Sequence, residues 1–141
     1  MPTKKELFVH FAFWFFFFVF VTLFKQYFSI SFSGAATFWP FWLGGIVGIF
    51  LPYLDRFVKS EELIFHTLFF QIIFLVLTFW MLTSSGSLFG KGLVLSFALH
   101  LSVDQLANLN EGKTLGKLDL NQSKIYWMIT TIIVLIFGFF L

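Results

Sequence analysis

The sequence predicts an all-α integral membrane protein, a bundle of about five transmembrane helices forming one domain over residues 1–141. Composition is the first reason: hydrophobic residues make up 59% of the chain and charged residues 11%, and 25 positions are Phe. Ordinary soluble domains carry roughly 25% charged residues, so this chain could not cover a soluble surface. Spacing is the second. Apolar stretches of about 20 residues alternate with polar breaks, the length a helix needs to cross a hydrocarbon core about 30 Å thick. The third is the texture of those stretches: Phe13–Val21 is apolar at every position, without the alternation of a membrane strand. A cytosolic enzyme, a nucleic-acid-binding module and a disordered tail are excluded together. With no Cys there is no disulfide framework, thiolate metal site or Cys nucleophile.

The first span is read at 7–24, after Lys4 and Lys5. A secretory signal is the competing reading, with Ser33–Gly34–Ala35 as a small-residue cleavage point. The run is longer and more aromatic than a signal core, so a retained helix is expected. The second span, 35–54, carries Gly44, Gly45 and Gly48, which suit close helix packing rather than chemistry. The third is read at 63–82. The fourth, 92–109, is more polar and is bounded by breaks at Gly86–Gly92 and Asn110–Gly116. The fifth occupies 125–141. Trp14, Trp39, Trp42, Trp80 and Trp127 fall mostly near span ends or turns, where an amphipathic ring suits a membrane interface.

The cations give a direction. With the N-terminus cytoplasmic, Lys4, Lys5, Arg56, Lys59, Lys113, Lys117 and Lys124 lie inside and only Lys25 and Lys91 outside. The positive-inside rule then sets the orientation, N-terminus in and C-terminus out. Membrane lipids are the expected partners, nucleic acid is not, and homo- or hetero-oligomers through the helices stay open.

The informative residues are those a bilayer disfavours. A charged group at mid-membrane costs about 2.5–3.5 kcal/mol on the mildest scale, so such groups face a cavity or a partner. His10, Asp55, His66, His100 and Asp104 include all three histidines of the chain. With the orientation set by Lys and Arg alone, all five fall in the cytoplasmic leaflet near one depth. Ser96, His100, Asp104 and Asn108 recur every fourth residue, one polar stripe on one helix face. His100 and Asp104 at i, i+4 can grip one ion together, and Glu62 and His66 repeat the spacing. Imidazole plus carboxylate without sulfur suits Zn²⁺, with Fe²⁺ or Mn²⁺ as alternatives. Plainer readings stand beside this one. His10 could be an interhelical hydrogen-bonding group, His100–Asp104 a self-neutralising pair, and Asp55 a solvated loop charge.

At these residues the sequence resembles a known group. Gly44–Gly45–Ile46–Val47–Gly48–Ile49–Phe50–Leu51–Pro52–Tyr53–Leu54–Asp55 is similar to the "G-x-L-L-P-D-L-D" segment of the YdjM-like family of inner-membrane proteins, described as predicted metal-dependent hydrolases. Val9–His10 resembles that family's early Thr-His, Phe65–His66 the end of its "H-R-G-x-T-H", and His100–Leu101–Ser102–Val103–Asp104 its late "H-x-x-x-D". The order agrees over most of residues 7–109. Tyr53 stands where the family has an Asp, Arg56 where it has a His, and Glu61–Glu62–Leu63 replace "H-R-G". The resemblance implies metal ligands at His10, Asp55, His66, His100 and Asp104, and one ion rather than several.

The expected function is metal-dependent hydrolysis of a membrane-associated or lipid substrate at the cytoplasmic leaflet, with Glu62, one turn from His66, as general base. Two alternatives are kept: a non-enzymatic membrane protein holding a structural ion or packing with partner helices, and a proton-relay or transport subunit.

Overall fold

The computed structural model describes residues 4–27, 38–56, 67–84, 87–114 and 118–140, and among these there is no strand. Helix α1 spans Lys4–Tyr27, α2 Phe38–Phe50, α3 Leu68–Thr83, α4 Leu88–Asn110 and α5 Leu120–Phe140. A 3₁₀ helix, Leu51–Arg56, continues α2. Pro52 explains that change: it has no N–H to donate, so the α-helical ladder loses a bond there. Two helices, α1 and α4, are long and apolar enough to cross a membrane, while Phe38–Leu54, Phe69–Met81 and Leu120–Ile136 are shorter apolar stretches.

The helix ends follow local chemistry. Thr67 Oγ1 accepts from Phe70 N at 3.3 Å to start α3, and Ser87 Oγ accepts from Gly90 N at 3.1 Å to start α4. The fourth helix therefore begins at Leu88, and Gly90 and Gly92, expected to mark a break, lie inside it. It ends as a Schellman motif: Gly112, at φ 73°, gives its N–H to Leu109 O and Lys113 gives its own to Asn108 O.

Successive helices alternate in direction. Phe18 stacks on Phe41, Gly45 lies against Trp14 and Phe18, and Tyr53 meets His10, so α1 and α2 run antiparallel. Phe74 packs on Phe97 while Met81 meets Gly90, so α3 opposes α4. Trp127 Nε1 donates to Ser102 O at 2.9 Å and Gly138 lies by Leu95, which sets α5 against α4. Helices α2 and α4 run parallel, with Gly45 opposite Ser96 and Ile49 opposite His100.

Glycine makes this last pairing intimate. A Cβ on Gly44 would collide with the backbone carbonyl of Phe89, on Gly48 with that of Leu93, and on Gly92 with that of Phe41. Backbone thus meets backbone, as small-residue stripes permit in membrane helices. Ser96 Oγ donates to Gly45 O at 2.6 Å across the seam. Helix α4 is the buried centre, and Trp14, Phe18, Phe41, Ile49, Leu95 and Val134 form the core around it. Trp14, grouped above with the anchoring tryptophans, is a core residue instead.

Candidate metal centre

Alternating directions bring the start of α1, the 3₁₀ helix, the end of α4 and the start of α5 to one end of the bundle. His10 sits on the inner face of α1, where its Nδ1 is 2.8 Å from Glu6 O, one turn back. His100 sits on the α2-facing side of α4, its Nδ1 2.7 Å from Ile49 O. A carbonyl oxygen only accepts, so each Nδ1 carries the proton and donates it. In the neutral ring each Nε2 then presents a lone pair.

Both lone pairs converge on one carboxylate. Asp104 Oδ1 is 2.8 Å from His10 Nε2, and Oδ2 is 3.2 Å from His100 Nε2. Ligand atoms of the three residues all lie within 4.8 Å of one another. The two histidines are buried and Asp104 is largely so. Two ring nitrogens and one carboxylate, with each Nδ1–H held by a backbone carbonyl, are a donor set that could hold a metal, with an outer shell that would orient the imidazoles.

Tyr53 joins this group from the 3₁₀ helix. Its Oη is 3.2 Å from His10 Nδ1, and its ring meets His100 edge-on at 4.6 Å between centroids. Sequence comparison presents Tyr53 only as an absent carboxylate, yet the structure sets it against both imidazoles. The signal available beforehand was Pro52, which turns the chain at that point.

The site opens to one side. A cleft of about 490 Å³ has His10 and Asp104 in its wall, flanked by Lys5 and Glu6 of α1 and by Ala107 and Asn108 of α4. His100 does not line it and forms the buried side of the cluster. At the rim Lys113 Nζ pairs with Glu111 Oε2 at 2.6 Å, and both side chains are exposed, so the pair contributes little stability.

The polar stripe on α4 thus divides by depth. Ser96 and His100 bond to α2, Asp104 bridges the histidines, and Asn108 lies exposed at the cleft. Of the other expected ligands, Asp55 has its backbone in the 3₁₀ helix while its side chain lies outside the described residues. His66 and Glu62 also lie outside the described residues.

No protein-family model, curated protein or solved structure matches the chain. The fold and site define a class, an all-helical bundle with a two-histidine, one-carboxylate cluster, and the YdjM-like resemblance rests on its short motifs alone.

Proposed function

We propose that the protein is an inner-membrane, multi-pass metalloprotein that binds one divalent cation, zinc by first preference, on His10, His100 and Asp104. We further propose that it acts as a metal-dependent hydrolase on a membrane-associated or lipid substrate. The observation that carries this reading is the meeting of two Nε2 lone pairs and a carboxylate beside an open cleft. When bound, a divalent ion would supply Lewis acidity, polarising a phosphoryl or ester oxygen and acidifying water. The protein's own contribution is orientation. The Glu6 and Ile49 carbonyls fix the imidazole tautomers, and Tyr53 packs on both rings. Glu6, in the cleft wall, joins Glu62 as a carboxylate for the role of general base.

The membrane reading is supported by apolar surface that a soluble monomer rarely exposes. Phe8 is 72%, Phe16 70%, Phe69 76% and Trp80 63% exposed. Alternating helix directions and the cation distribution support five spans with the N-terminus cytoplasmic.

The test is hydrolysis of phosphomonoester and acyl-ester lipids by metal-loaded protein in mixed micelles. Activity that disappears in Asp104→Asn and in Glu6→Gln or Glu62→Gln supports the reading. A second reading has its own support: the ligands join α1 to the core helix α4, so an ion there would also staple the bundle. Loss of metal and thermal stability in His100→Ala, with no hydrolysis by the wild type, selects the structural ion.

A further inference from the structure

We propose that the cavity between α3, α4 and α5 is a second binding site, which holds one neutral ligand oxygen on the side chains of Gln105 and Tyr126. Gln105 follows Asp104 directly but lies on another face of α4, since successive helical residues point about 100° apart. It is 5% exposed, and its Nε2 has no hydrogen-bond partner among the described residues. The buried Tyr126 hydroxyl has none either. Both side chains line one cavity of about 30 Å³. That is room for a water-sized group, and two buried donors without acceptors are costly in an apolar setting.

The lining specifies the ligand. Thr130 Oγ1 is already committed to the Tyr126 and Trp127 carbonyls at 3.0 Å. What remains on Gln105 is an N–H donor, which calls for an oxygen acceptor. Among the described residues no charged side chain lines the cavity, whose walls also include Gln71, Phe74, Leu101, Ser102 and Val134, so an anion would find no counter-charge. The ligand is neutral. Gln105 lies five residues before the end of α4 and Tyr126 six after the start of α5, about 8–9 Å from the bundle end. Two sources offer such an oxygen at that depth: an ordered water, or the ester carbonyl of a glycerolipid entering between α3 and α5.

The experiment is thermal unfolding of the full chain in detergent, comparing wild type, Gln105→Met and Tyr126→Phe, each delipidated and then supplied with dioleoylglycerol. Both variants keep side-chain shape. With an acceptor in place, each melts about 3–6 °C below wild type, because a made hydrogen bond is lost. A wild-type Tm that falls on delipidation and recovers with dioleoylglycerol, with no such response in Gln105→Met, identifies the lipid carbonyl. The same variant losses without any lipid response identify water. Variants that melt at or above the wild type overturn the proposal, since removing an unsatisfied buried polar group stabilises.

Discussion

His10 of α1 and His100 of α4 stack with ring centroids 4.1 Å apart and planes inclined by 26°. Two imidazolium rings that close would repel by about 4 kcal/mol at an effective dielectric constant near 20. Two neutral rings, each donating from Nδ1, leave lone pairs facing a carboxylate that only accepts. A single cation held by the two rings and Asp104 would resolve both conflicts.

Metal should therefore stabilise the fold through Asp104. Zn²⁺ at 100 times its dissociation constant is expected to add about 2.7 kcal/mol, read as a rise in Tm of chelator-stripped protein. In Asp104→Asn the rise should vanish. An equal rise in both proteins would place the ion elsewhere.

Tyr53 tests the outer shell. Replacing it with Phe keeps the ring against His100 and deletes only the hydroxyl near His10 Nδ1. Cobalt affinity, followed by visible absorption, is expected to fall about 10-fold. Unchanged affinity and spectrum would reduce Tyr53 to packing.

The glycine seam sets the register that aims His100. Gly48→Leu drives a side chain into the Leu93 backbone, which no rotamer change can relieve. A loss of about 1–3 kcal/mol or more is expected in thermal or denaturant unfolding. The same change at exposed Gly112, where no neighbour lies within 4 Å but φ is 73°, should cost about 1 kcal/mol from backbone strain alone.

Trp127 ties α5 to α4 through its 2.9 Å bond to Ser102 O. Trp127→Phe should cost about 1 kcal/mol for the hydrogen bond, and more through the lost ring volume. A variant as stable as wild type would show that the two helices do not depend on this link.

The five helices were readable because hydropathy over some twenty residues is a local property. His100 with Asp104 was readable for a similar reason, since four-residue spacing fixes a shared face. Gly44, Gly45 and Gly48 announced close packing, but not against what. That their partner is the parallel α4, with Gly92 inside it, depends on non-adjacent helices and leaves no local trace. The Nδ1 partners were hidden because Glu6 and Ile49 contribute backbone carbonyls, which any residue type provides. The place of Tyr53 was hidden for a different reason: its identity marks only a missing carboxylate, while its position after Pro52 decides what it touches. Nothing in the sequence marks Gln105, and only its burial shows that it needs an acceptor.

The central claim is that His10, His100 and Asp104 hold a cation, and elemental analysis of protein purified without chelator tests it most directly. The account predicts about one equivalent of a divalent transition metal per wild-type chain, falling to background in folded His10→Gln and His100→Gln variants. Wild-type protein that is folded, carries no metal and takes none up from Zn²⁺, Fe²⁺ or Mn²⁺ would contradict it.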